Sequence, residues 1–313
     1  MNNELGKLIM IVAFVTHEAE VIPQYIRRRI AEAGIELKCH CCGNGPDELL
    51  HFAKDAAVIW FWGDEVRITP DMLDKLPKCK ALFRSGSGVD ALPCQRAREL
   101  GIAICNTPDS IAEAVAEHTV TLLLALARMI PQQDRCSRDG SWRKLQDALQ
   151  WHITGRTLGL VGYGRIARRV EKMLNGFNLK TIFHDPMVPG SIPLDELLRQ
   201  ADFVSLHCPL TSETRNLIGE RELSLMKPKA LLVNASRGGI VNEDALYYAL
   251  KNGVIGGAAL DVMEQEPFDV HSPLFTLGNL IITPHLAAFS ADFTKNFWEY
   301  SAAKLEELNK VYA

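Results

Sequence analysis

The chain has 313 residues, 47% hydrophobic and 23% charged, which suits roughly two soluble globular domains and argues against disorder, collagen or coiled coil. Lys plus Arg is 34 against 38 for Asp plus Glu, a formal charge of −4, so nothing advertises nucleic acid or an anionic membrane as partner. Uncharged apolar stretches such as 119–127 reach about half the length of a bilayer span, and eight cysteines in a chain this long need no disulfide framework, so reduced thiols and a cytoplasmic location are expected.

The apolar run 8–15 is preceded by Lys7 alone and followed by no small-residue cleavage site. It reads as a first buried strand rather than a signal peptide. Pro23 opens a helix over 23–33 that Gly34 ends. Strands are predicted at 37–41, 58–62, 81–84 and 102–105. The segment 111–129 is one long helix, apolar on most faces and expected to be buried between two units, and 135–153 is polar and irregular. A second series of strands follows at 158–161, 181–184, 203–206, 231–234, 257–261 and 280–283, and a helix over 290–308 closes the chain. Such alternation predicts an α/β fold: two Rossmann-like or flavodoxin-like, doubly wound parallel-sheet domains with a cleft between them.

The second series opens with a cofactor signal. Gly162-Tyr-Gly164-Arg-Ile-Ala167 fits G-x-G-x-x-[GA], follows an apolar strand and opens a helix, and Asp185 lies 21 residues beyond Gly164 at the end of the next strand. Gly162 permits the tight turn, Gly164 lets a pyrophosphate approach the backbone, and Ala167 allows close helix packing. Asp185 would accept hydrogen bonds from a ribose and repel a 2′-phosphate, which favours NAD over NADP. Arg165 would lie near the pyrophosphate, while Arg168 and Arg169 read as a solvated helix face.

Three segments stand at the predicted carboxyl ends of later strands, where open α/β sheets bind ligands. They carry Arg237 before two glycines, Asp261 and Glu266 before Pro267, and His285 after Pro284. An anion-binding guanidinium, an imidazole and a carboxylate together make an acid–base site. Glu264 competes with Glu266, and the spacing to Pro267 favours Glu266.

With these motifs the chain resembles the D-isomer-specific 2-hydroxyacid dehydrogenases, in the phosphoglycerate dehydrogenase-like branch without a regulatory domain. The resemblance runs over essentially the whole chain and is densest at Asn106-Thr-Pro108, 162–166, His207-Cys-Pro-Leu-Thr, 234–239, 260–267 and 284–287. It implies a discontinuous substrate domain at 1–106 plus 285–313 and an NAD-binding domain at 107–284, with a homodimer through 111–150. Arg237 would bind the 2-oxo acid in a planar fork that Lys cannot reproduce. His285 would exchange the proton on the carbonyl oxygen, and Glu266 would pair with His285 and orient it. Matched cofactor positions are Gly162, Gly164, Arg165, Ile166, Asp185, His207, Cys208, Thr214, Ala235, Ser236 and Asp261, the last facing the nicotinamide carboxamide. The loop Ser85-Gly86-Ser87 would hold the substrate carboxylate on its backbone amides.

The implied activity is NAD-dependent hydride transfer between a small 2-oxo acid and a D-2-hydroxy acid. The alternatives are phosphoglycerate dehydrogenase proper, a nicotinamide-sensing corepressor-like interaction protein, and a formate or phosphite dehydrogenase relative, of which formate types are expected to carry Gln at position 266. Trp62 falls where some members place a basic residue, and suggests a pocket less suited to a phosphorylated substrate. Cys39-His40-Cys41-Cys42 looks like a metal cluster, but neighbouring strand residues face opposite ways and no second ligand pair follows, so no metal is expected. Cys208 is expected to pack rather than react, and His118 to be a core or interface residue.

Overall fold

A computed structural model describes residues 9–43, 45–63, 68–90, 92–142 and 151–313. The chain forms two compact units, Met1–Ile111 with Ala291–Ala313, and Ala112–Ser290. The divisions fall at 111/112 and 290/291, against the expected 106/107 and 284/285. In the first unit β1 (Met10–Phe14), β2 (Ile35–Cys39), β3 (Val58–Phe61), β4 (Ala81–Arg84) and β5 (Ala103–Asn106) form a parallel sheet in the order β2-β1-β3-β4-β5. In the second, β6 (Thr157–Val161), β7 (Lys180–His184), β8 (Phe203–Leu206), β9 (Leu231–Asn234), β10 (Gly257–Leu260) and β11 (Leu280–Ile282) form another, in the order β11-β10-β9-β8-β6-β7. Several of these strands, such as Val58–Phe61 and Phe203–Leu206, are buried at every residue. Helices cover both faces of such a sheet, which is why the strands read as short apolar runs rather than alternating ones.

Each sheet reverses its winding once. In the second unit β7 lies on one side of β6 and β8 on the other, so the loops after β6 and β8 diverge from a common switch point. The register aligns Val161 with Leu206, Leu206 with Asn234, and Asn234 with Leu260. The loops at those carboxyl ends therefore emerge along one edge.

The helix Asp109–Ala127 extends well beyond the uncharged apolar stretch 119–127 at its centre and end. Its 19 residues are enough, by length and composition alone, to cross a membrane, and half of that window is buried. Ala116, Leu122, Leu123, Leu126 and Ala127 recur at helical spacing and pack with Leu158, Leu160, Phe203 and Val233 of the second sheet. The region read as irregular from 135 contains part of a helix, Ile130–Arg138. It buries no residue and so carries no apolar periodicity; Pro131 in its first turn and an Asp134–Arg138 pair at 2.8 Å support it instead. Of that prediction, 143–150 lies outside the described residues.

The closing helix Phe293–Tyr312 buries Phe297, Trp298, Ser301, Ala302, Leu305 and Leu308 in the first unit. All eight cysteines are free thiols. His40 is held at both ring nitrogens by carboxylates, Glu18 at 3.1 Å and Glu48 at 2.9 Å.

Candidate active site

Every loop at the carboxyl edge of the second sheet carries one or more of the residues singled out above. After β6, Gly162 has φ +84°, and a Cβ there would lie 2.7 Å from both His207 C and Cys208 N. Glycine is thus required twice, by the backbone angle and by the closeness of the loop after β8. Gly164 caps the ten-residue helix Arg165–Leu174, and a Cβ on it would meet nothing within 4 Å. That opening lies in front of free helix N-terminal amides, Ala167 is fully buried beneath them, and Arg165 is exposed in the first turn. These features fit a dinucleotide pyrophosphate.

The loop is held from both sides. Tyr163 stacks on Phe183 at 4.0 Å, and the Arg168 guanidinium sits 4.2 Å above the Tyr163 ring. Asp185 accepts from the amides of Tyr163 at 2.8 Å and Met187 at 3.0 Å. Arg168 and Arg169 therefore do more than face solvent: one covers Tyr163, and the other pairs with Glu113 at 3.0 Å. Ile166 is half-buried beside them, against the core of the second unit.

Burial pushes His207 down to about 4, so it is neutral at neutral pH, with Nε2 3.0 Å from Ser205 Oγ. Burial likewise pushes the Cys208 thiol up to about 11, which makes it a packing group rather than a nucleophile. The Thr214 hydroxyl donates to Pro209 O at 2.6 Å and accepts from Thr211 N at 2.7 Å, closing the loop after β8.

Asn234 ends β9, is 1% exposed, and organises the next turn. Its Oδ1 accepts from the Ser236 amide and hydroxyl, and its Nδ2 donates to Arg237 O at 2.9 Å. Ala235 is buried between them. The half-buried Arg237 donates from Nη1 to Ser236 O at 2.8 Å. A Cβ on Gly238 would lie only 1.9 Å from Met263 O, so the turn carrying Arg237 rests directly on the turn leading to Glu266.

Glu266 meets His285 at 2.6 Å, Oε2 to Nδ1, while its Oε1 accepts from Met263 N at 3.2 Å. A carboxylate can only accept, so Nδ1 carries the hydrogen and Nε2 is left for proton exchange. Glu264, the competing acid, pairs instead with Arg215 at 3.1 Å. His285 has φ +55° and a side chain 47% exposed.

Two predicted roles meet prior engagements. Asp261, expected to face a carboxamide, has a side chain only 1% exposed. Its carboxylate accepts from Thr283 Oγ1 at 2.6 Å and from the amides of Leu286 and Ala287 at 3.1 and 3.0 Å. Burial alone pushes this carboxyl upward; His118, Thr283 and the two amides outweigh it and hold it below the usual range. In the first unit the Ser85 amide donates to Phe61 O at 3.0 Å, and the Gly86 amide to Thr107 Oγ1 at 2.9 Å. The Ser85 hydroxyl accepts from Trp60 Nε1 at 2.8 Å and lies 2.7 Å from Ser301 Oγ. Two of the three expected carboxylate donors are therefore spent on shaping the loop, with Asn106 Nδ2 fixing Ser87 O at 2.7 Å. Thr107, Asn106, Asn234, Thr283 and His118 were not given these roles by sequence reasoning. The readable signal was a polar residue closing an apolar strand, as in Leu-Leu-Val-Asn234.

The fold and site define a dinucleotide-binding α/β protein with a carboxylate–imidazole pair at its sheet edge. Residues 120–287 match the family model described as D-isomer specific 2-hydroxyacid dehydrogenase, NAD binding domain. The chain belongs to that family. It is 41% identical over 260 residues to the D-3-phosphoglycerate dehydrogenase of Methanocaldococcus jannaschii, covering 80% of this chain and 49% of that one, so it spans about half the length of that relative. It is 37% identical over 256 residues to the glyoxylate reductase of Thermococcus litoralis, covering 76% of each. A solved glyoxylate reductase from Paecilomyes thermophila superimposes with TM-score 0.85 at 26% identity, over 97% of this chain and 96% of that one.

Proposed function

We propose that the protein reduces a small 2-oxo acid to a D-2-hydroxy acid with NADH, and catalyses the reverse reaction. The carrying observation is the Glu266–His285 contact of 2.6 Å on the edge where the dinucleotide loop also opens. The Arg237 guanidinium binds the carboxylate and carbonyl oxygen of the acid. His285 gives a proton from Nε2 to that oxygen, while Glu266 keeps Nδ1 tethered and the ring oriented. A reduced nicotinamide, when bound, supplies the hydride to carbon. In the reverse direction His285 takes the hydroxyl proton. Met1–Ile111 with Ala291–Ala313 serves as the substrate domain and Ala112–Ser290 as the cofactor domain.

Trp62 favours an unphosphorylated acid of the glyoxylate class. Its ring stacks on His17 at 5.0 Å and packs on Phe297 at 4.8 Å, and an indole offers a phosphate no charge. Free thiols suit a reducing cytoplasm, and exposed Ile130 and Trp142 suit a homodimer formed through 111–150. Nothing in the site favours the corepressor-like reading.

NADH oxidation measured with glyoxylate, hydroxypyruvate, pyruvate and phosphohydroxypyruvate tests the proposal. Turnover with at least one unphosphorylated acid is expected; tight NADH binding without turnover of any of them refutes it. Coenzyme choice gives a second check. Replacing Asp185 by Ser removes the charge that repels a 2′-phosphate, so the ratio of kcat/KM for NADH over NADPH should fall by about tenfold or more. An unchanged ratio removes Asp185 from ribose recognition.

A further inference from the structure

His285, with φ +55°, occupies a left-handed backbone region that is strained for a non-glycine residue, so other contacts must hold it there. Asp261 provides that grip. Its backbone carbonyl accepts from His285 N at 2.8 Å, and its two carboxylate oxygens accept from Leu286 N and Ala287 N. Successive amides after a left-handed residue form an anion-binding concavity, and here the anion is a side chain of the same protein.

A carboxylate this deeply buried needs donors on its remaining lone pairs. Thr283 gives its hydroxyl hydrogen to Asp261 Oδ1, because the carboxylate has none to give. The Thr283 oxygen is therefore an acceptor toward His118 Nε2, 3.1 Å away, and the same nitrogen lies 3.4 Å from Asp261 Oδ1. His118 Nε2 is thus fixed as a donor, 165 residues from Thr283 in sequence, in the middle of the helix Asp109–Ala127. Without that donor the Thr283 oxygen is held only through its bond to Asp261, and Asp261 loses a partner on the oxygen that also holds Leu286.

We propose that His118 is a positioning residue for His285, acting through Thr283 and Asp261 on the turn that presents the imidazole. The proposal rests on the reading of His285 as the proton-exchanging group, but its first test does not. Amide hydrogen exchange of the cofactor-free protein reads the grip directly. In His118→Leu, exchange at Leu286 and Ala287 should accelerate about tenfold, while the β8 and β9 amides keep their protection. His118→Gln, which returns an N–H donor at similar reach, should restore most of that protection. Turnover should follow the same order. His118→Leu should lower kcat about 10- to 100-fold with KM values within about threefold, and Gln should recover most of the loss.

Thr283→Val removes only the hydroxyl and should repeat both effects with His118 in place; adding His118→Leu should then cost little more. Unchanged exchange at 286–287 in His118→Leu, equal damage in the Leu and Gln variants, or wild-type behaviour of Thr283→Val would each overturn the proposal. Should His118→Leu fail to fold, Thr283→Val decides alone. If His285→Ala keeps full turnover, the function proposed above is what fails, and the exchange result still decides the grip.

Discussion

Replacing His285 by Ala should lower kcat by about 10²–10⁴-fold while NADH binding, followed by its fluorescence, stays within about threefold. The separation is expected from where the residue sits. In the sheet order β11-β10-β9-β8-β6, three strands separate the strand before His285 from the strand before the dinucleotide loop, and the His285 side chain is held by Glu266 at 2.6 Å. Removing the ring deletes the proton exchanged with the carbonyl oxygen and leaves the Gly162–Gly164 turn, Asp185 and the helix after them in place. Glu266→Gln should cost less than His285→Ala, because an amide oxygen can still accept from Nδ1 and the imidazole that exchanges the proton remains. Comparable kcat for His285→Ala and the parent protein would remove the residue from the chemistry.

Replacing Gly238 by Ala should damage both stability and turnover, although Gly238 does not take part in the reaction. A Cβ there would overlap Met263 O at 1.9 Å and Met263 C at 2.2 Å, and these are backbone atoms that cannot rotate aside. Either the turn carrying Arg237 or the turn carrying Glu266 must shift. We expect a loss of about 1–3 kcal/mol in thermal or denaturant unfolding, and a fall in kcat/KM of about 100-fold or more from misplaced site residues. If Gly238→Ala melts and turns over like the parent, the two turns do not bear on each other in solution. Gly238 and Gly239 look alike in the sequence, but only Gly239 has a positive φ, at +74°; Gly238 is required because of what lies against it.

The contrast between these two glycines shows how far the sequence could be read. Strands such as Ala81–Arg84, Phe203–Leu206 and Leu231–Asn234 coincide with runs visible in the chain, because a strand covered on both faces is apolar at nearly every residue, with Arg84, Ser205 and Asn234 the exceptions in these three. The helix Ile130–Arg138 was not legible, because nothing on it is buried. Gly162, Gly164 and Asp185 were legible as a unit, since a turn, a helix start and the next strand end are set by local spacing. Glu266 was separable from Glu264 by its position before Pro267, and the structure gives each a different partner, His285 and Arg215.

What the sequence determined by itself was therefore the order of strands, the family, and which residue types stand at the strand ends. Only the tertiary structure decided which way those residues face. Asp261 turns inward to hold the amides of Leu286 and Ala287, Ser85 and Gly86 spend their amides on Phe61 and Thr107 at neighbouring strand ends, and His118 reaches Thr283 from a distant helix. The reason is physical. Burial and backbone pairing impose a period that a short segment carries with it, whereas the partner of a polar atom is fixed by whatever other segment folds within about 3 Å of it.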